Sequence, residues 1–137
     1  MTYKFKRFSG FNTRSSKPTV SITRAEAIGL SSSFCERYEV DKFRYAVLYY
    51  DEKSNSIGFR LTNDENEKSK FSITRTNKNK GKSSSIVSHT FFTKNEIVVD
   101  KYAHKYMPKK VRLEDLGFDE PGDLFVFDLE EEQPELD

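Results

Sequence analysis

The tetrapeptide Ser21-Ile22-Thr23-Arg24 recurs as Ser72-Ile73-Thr74-Arg75, and two further matches follow in the same order. Ser31-Ser32-Ser33 returns as Ser83-Ser84-Ser85, and Val40-Asp41-Lys42-Phe43 as Val99-Asp100-Lys101-Tyr102. The offset grows from about fifty residues to just under sixty, as it would if the second of two copies carried an insertion. A duplicated unit of this size folds as neighbouring copies that bury their faces on one another. The alternative is a pair of unrelated strands that share a Ser/Ile/Thr alternation, which explains one match but not an ordered set.

A chain of 137 residues is long enough for one domain with its own core. Only 35% of it is hydrophobic, but seven tyrosines and twelve phenylalanines enlarge the area that fraction can bury. Cys35 has no second cysteine to pair with, and beside Phe34 it reads as a small buried hydrophobe rather than a reactive thiol. No stretch has the length and apolarity of a membrane span, and Met1–Arg7 lacks the apolar centre of a signal peptide. The expectation is a cytoplasmic protein with no membrane partner.

The net charge of +1 conceals a segregation. Residues 1–24 hold Lys4, Lys6, Arg7, Arg14, Lys17 and Arg24 and no acid. Residues 68–112 hold twelve basic residues against Glu96 and Asp100, and residues 113–137 hold eleven acids and no base. Such blocks set up a directional field, which acts on polyanionic partners.

Alternation in Tyr3–Lys6 predicts a strand with rings on one face and charges on the other. Strands follow over Thr19–Arg24 and Ile28–Leu30. A helix through Phe34, Arg37 and Tyr38 comes next, capped by one of Ser31–Ser33, with Ser33 and Glu36 spaced as a capping box. Arg44–Tyr50 and Ile57–Thr62 read as a hairpin with Ile57, Phe59 and Leu61 on one face. The second copy has strands at Phe71–Arg75 and Ile86–Val87. Thr90 or Thr93 caps a helix that ends before Pro108, Lys109–Gly122 forms a longer excursion, and Leu124–Leu129 is the last strand.

The expected fold is therefore α+β and mostly β. It is a small barrel-like domain of two repeated β-β-α-β units, a pseudo-dimer in one chain. Residues 1–18 form a basic aromatic arm, 19–67 and 68–129 the two repeats of a single domain, and 130–137 an acidic tail.

The first unit resembles the AbrB/SpoVT-type swapped-hairpin domain. The resemblance rests on Val20–Arg24, Ile28–Ser31, the Phe34–Val40 helix, and Ala46–Glu52 leading to Ile57-Gly58-Phe59. Ala25, Glu26 and Ser31 stand where that family has its usual Gly-Arg/Gln and Pro. The resemblance implies DNA binding, as in transcription regulators and antitoxins, and halves that bury their faces only as a pair. It also implies that Arg24 and its counterpart Arg75 contact DNA.

Catalysis finds little support in these residues. His89 and His104 are the only histidines and read as surface or structural groups. The lone cysteine completes no metal cluster, and no Gly-x-Ser-x-Gly elbow or phosphate-binding glycine loop is present. Asp64, Glu65 and Glu67 read as a solvated loop before they read as a metal site. No cofactor and no metal are expected, and the chain is not expected to be an enzyme.

Nucleic-acid binding is better supported, because clustered cations neutralise phosphates and release counterions. Lys68, Lys70, Arg75, Lys78, Lys80 and Lys82 fall in a span without an acid, interleaved with Asn77 and Asn79, which can bond phosphates or base edges. Lys105, Lys109, Lys110 and Arg112 form a second cluster. Phe8 and Phe11 either stack on unpaired bases or pack in the core. The tail from Glu130 is a solubilising end, a competitor for the basic surface, or a handle for a protein partner. The partner expected is nucleic acid, and the family resemblance favours DNA over RNA. The second reading is a protein-interaction subunit or inhibitor that docks on a nucleic-acid-processing complex.

Overall fold

The computed structural model describes residues 3–5, 17–75 and 83–131. It is mostly β. Nine strands form one antiparallel sheet: β1 Val20–Thr23, β2 Ala27–Leu30, β3 Tyr45–Asp51, β4 Ser56–Thr62, β5 Lys70–Arg75, β6 Ser84–Val87, β7 Lys105–Tyr106, β8 Lys109–Arg112 and β9 Asp123–Asp128. Their spatial order is β7-β1-β2-β6-β5-β3-β4-β9-β8. The two outermost strands, β7 and β8, are consecutive in the chain, with only Met107 and Pro108 between them. So short a link forces the sheet to curl, and it does so as a half-barrel. Pro108 lies between strands, where its missing N–H costs no ladder bond.

The alternation in the sequence decides which face turns inward. Val20 and Ile22 of β1 are buried, whereas Ser21 and Thr23 are not. Register then lines up four isoleucines across four strands, Ile22 opposite Ile28, Ile28 opposite Ile86, and Ile86 opposite Ile73. β3 pairs with β4 as the predicted hairpin and with β5 on its other side. β7, late in the chain, pairs with β1. Two long-range backbone bonds fix these contacts: Ile22 N–H donates to the His104 carbonyl at 3.1 Å, and Ile73 N–H to the Arg44 carbonyl at 2.9 Å.

The helices are short: α1 Ser32–Arg37, α2 His89–Lys94 and α3 Val99–Tyr102. Ser31 caps α1, its Oγ accepting from Phe34 N–H at 3.1 Å. Ser33 lies inside the helix, so the expected Ser33–Glu36 box is not the cap. Leu30 is the last residue the sheet takes, and the Cys35 N–H closes on the Ser31 carbonyl at 2.9 Å, so the first turn begins at once. α2 likewise starts after Ser88, which makes no side-chain cap bond, and Thr90 and Thr93 fall within it rather than capping it. Both helices are followed by a glutamate in the left-handed region, Glu39 at φ 53° and Glu96 at φ 56°. Val40–Lys42 forms a 3-10 turn, and Val99–Tyr102 is α3, so the Val-Asp-Lys matches both fold as single helical turns. The serine triplets do not correspond: Ser31 closes β2 and caps α1, whereas Ser84 and Ser85 are strand residues of β6. Tyr3–Phe5 forms no strand, although the two rings stack at 5.4 Å.

Inside the curl, Phe34 is fully buried among Tyr38, Phe59 and Phe125, with ring centroids 4.8, 5.7 and 4.9 Å away. Phe92, Val40 and Ile57 complete the same core. A second, smaller core lies on the outside of β4 and β9. There the 3-10 turn Leu113–Leu116 covers the sheet and buries Leu113 and Leu124. Gly58 admits Leu124, since a Cβ at Gly58 would stand 2.8 Å from its Cδ2. The predicted Lys109–Gly122 excursion is thus a strand and a cap on the outer face.

Candidate nucleic-acid interface

Eight of the residues expected to bind nucleic acid lie outside the described residues: Lys6, Arg7, Phe8, Phe11, Arg14, Lys78, Lys80 and Lys82. Lys4 is exposed beside Tyr3 and Phe5, and Lys17 is exposed where the chain enters β1. Arg24 follows the other end of β1 and reaches Asp100 of α3 at 3.5 Å. Arg75 ends β5 and donates to the Val40 carbonyl at 3.4 Å and to Ser84 Oγ at 3.5 Å. Each repeated arginine therefore docks on the Val-Asp-Lys turn of the other half of the chain.

Lys68 is exposed in the loop before β5. Lys70 Nζ donates to the Glu65 carbonyl at 2.9 Å and lies 5.2 Å from the Tyr45 ring centroid. Lys109 is exposed on β8, and Lys110 Nζ stands over the Tyr38 ring with Asp123 at 3.9 Å. Along β5, Arg75 shares a row of paired residues with Ser84, Leu30 and Val20, and so lies at the end of the sheet where Lys17 enters. Arg24 is at the opposite end, and Lys109 and Lys110 are on the far edge. Register brings Lys17 and Arg75 to one end and separates the others.

What the sequence reasoning did not single out is a depression of about 300 Å³ on the outside of β1, β2 and β6. Side chains alternate between faces, so residues paired in one row share a side. One outward row runs Lys105, Ser21, Gly29, Ser85, Thr74 across five strands. Gly29 is its low point, since a Cβ there would lie 2.6 Å from Ser21 Oγ. Thr19, Ser31 and Ser83 close one end, and Thr23 lines it too. Thr23 Oγ1 is shielded from solvent and, among the described residues, makes no hydrogen bond. Hydroxyls and an amino group in such a setting are the side chains that hold phosphate oxygens and sugars. The signal was present in the sequence, as Ser21 and Thr23 alternating with Val20 and Ile22. Gly29 facing Ser85 depends on a pairing between distant segments.

Two other features border this region. The Tyr106 hydroxyl donates to the Tyr102 carbonyl at 2.8 Å and lies 3.1 Å from the Glu130 carbonyl, and His104 Nε2 lies 2.5 Å from the same Glu130 oxygen. Glu130 thus sits beside β7, the strand that carries Lys105. Burial pushes the Tyr106 phenol up from 10.0 to about 12. Because the folded value lies above the unfolded one, the stability carried by the neutral phenol is complete below pH 10 and is lost as pH rises through 12. Denaturant melts across that alkaline window are expected to show falling stability, with a shallower fall in Tyr106→Phe. Equal slopes would remove Tyr106 as the cause.

The remaining titratable candidates are engaged within the fold. His89 Nδ1 is 2.6 Å from Glu26 Oε1. Glu65 pairs with Arg44 at 3.3 Å, Glu67 with Arg60, and Asp64 accepts from the Asn66 N–H at 2.9 Å. Burial, the largest influence on it, pushes the Cys35 thiol up. Among the described residues no group of three His, Cys, Asp or Glu converges as metal ligands, and no helix is long and apolar enough to cross a membrane. No protein-family model, characterised protein or solved structure matches the chain.

Proposed function

We propose that this chain is a non-catalytic nucleic-acid-binding module made of two copies of one β-β-α-β unit fused as a pseudo-dimer. The paired isoleucines Ile28 and Ile86 support the duplication, because they would sit on the axis relating the copies. The reciprocal exchange of strands supports it as well, β3 of the first half lying on β5 and β7 of the second on β1. That exchange is also what a swapped-hairpin ancestor of the AbrB/SpoVT type would leave behind, and on that resemblance DNA is the favoured polymer.

The observation that carries the binding role is the lysine-and-hydroxyl depression. Along the chain, Thr19 at its rim follows the acid-free segment with Lys4, Lys6, Arg7, Arg14 and Lys17. Ser83, also at its rim, follows Lys78, Lys80 and Lys82. Clustered cations of this kind supply sequence-independent affinity that weakens as salt rises.

Mobility shifts of the full chain with single- and double-stranded DNA and RNA at two salt concentrations test the reading. Binding that falls steeply with salt is the expected result. No binding to any of them at low salt, with a stable protein complex recovered by pull-down, would replace it with the adaptor reading. The acidic tail is a competitor for the same surface in this scheme. Truncation after Glu130 keeps the carbonyl that His104 and Tyr106 hold, and is expected to tighten binding several-fold. An unchanged binding curve removes the tail from the scheme.

A further inference from the structure

We infer that the depression over β1, β2 and β6 holds the sugar–phosphate backbone of a single nucleic-acid strand, one strand per molecule. The inference rests on the binding role proposed above and specifies its site and ligand.

Shape argues for a single strand. The core fills the inside of the curl, so the Lys105-to-Thr74 row lies on the outside, which is convex across the strands. Four strand spacings make this row roughly 19 Å long. One turn of duplex is about 34 Å. A stiff duplex laid on a convex face touches it over a small area, whereas a flexible strand follows the curve and enters the depression.

Chemistry argues for backbone contact. Lys105 at one end offers a cation, and the floor offers the hydroxyls of Ser21 and Ser85. No aromatic side chain lines the depression, so it offers no platform on which bases could stack. Contact through phosphates alone carries no sequence information.

The limit of one strand follows from a local asymmetry. On the outer side of the same two strands, Gly29 faces Ser85 at one end and Ala27 faces Val87 at the other. Gly29 leaves the floor open. Val87 is 55% exposed and presents methyl groups where the other end presents hydroxyls. The depression with its open floor therefore lies at the Gly29–Ser85 end.

Fluorescence anisotropy of the full chain with a labelled oligothymidylate, and with its duplex with oligodeoxyadenylate, decides the matter. The single strand is expected to bind at least about tenfold more tightly than the duplex, and Gly29→Val to weaken it by about the same factor. Lys105→Gln is expected to lower the log–log salt slope by about 0.7, the share of one phosphate on a single strand. Val87→Ser, outside the depression, should leave affinity unchanged. If Gly29→Val does not fold by circular dichroism, Ser85→Leu covers the same floor and takes its place. Equal affinity for duplex, or undiminished single-strand binding by the floor variant, overturns the inference while leaving the binding role standing. Wild-type protein that binds neither polymer overturns both.

Discussion

Replacing Phe34 with alanine is expected to destabilise the fold by about 3–5 kcal/mol, the cost of emptying a fully buried phenyl site. Phe34 has no exposed surface, and Tyr38, Phe59 and Phe125 surround it with centroids within 5.7 Å. Phe59 and Phe125 stack on each other at 5.3 Å, and Tyr38 meets Phe125 edge-on at 4.7 Å. Phe59 and Phe125 are opposite neighbours on the inner face of the paired strands β4 and β9, so the sheet holds them out of the vacated volume and the cavity term stays large. A domain of ordinary stability holds about 5–15 kcal/mol in all, so this single change removes a substantial part. Urea titration reads it directly. With a slope of roughly 1–3 kcal/mol per molar, the midpoint should fall by at least about 1 M. A loss under about 1 kcal/mol would mean that α1 is not pinned to the sheet by this ring.

Arg60→Met should cost about 2–3 kcal/mol for a different reason. Arg60 projects from β4 on the outer face, and its side chain is only 13% exposed. Its Nε donates to the Tyr49 hydroxyl at 3.2 Å, its Nη2 donates to Glu67, and Glu120 approaches at 3.7 Å. Burial alone would lower the guanidinium, but the hydrogen bonds to Glu67 and Tyr49 outweigh it and hold the group above its ordinary value. Methionine keeps an aliphatic stem on the same face and strands the Glu67 carboxylate, 24% exposed, without its partner. Some water reaches that carboxylate, so the loss falls below that of a fully buried pair. Thermal melts of Arg60→Met and the double variant Arg60→Met/Glu67→Gln separate the contributions. The second change should recover part of the loss, and no recovery would show that the stranded charge is not the cost. Lysine should not substitute, because it lacks the planar fork that serves Tyr49 and two carboxylates together.

Much of this architecture was legible in the chain. Strand positions followed from period-two alternation, as in Val20–Thr23 and Ile57–Leu61. The β3–β4 hairpin followed from its polar turn. Local signals carry such information because it is spent within a few residues. The repeated Val-Asp-Lys was visible as a match, but that both copies fold as single helical turns was not. Caps were less legible, since Ser31, Ser32 and Ser33 are chemically equal and only the end of β2 at Leu30 chooses among them. Least legible was what depends on pairing across the chain. β5 could have stayed with β6 alone, and nothing in Lys70–Arg75 announces β3 as its other neighbour. The depression exists because Gly29 meets Ser85 and not Val87, and a register shift of two residues would fill it. The basic residues were visible as a set, but their distribution between the two ends and the far edge of the sheet is a property of strand order.

The two-residue link between β7 and β8 has a consequence for biosynthesis. While residues beyond about 100 are still within the ribosome, β1 lacks its neighbour β7 and β4 lacks β9, so the nascent sheet carries two bare margins with unsatisfied amides. Emergence of one short stretch, residues 105–128, covers both. Chains that terminate prematurely, before that stretch, would keep both margins open and be drawn into intermolecular strand pairing.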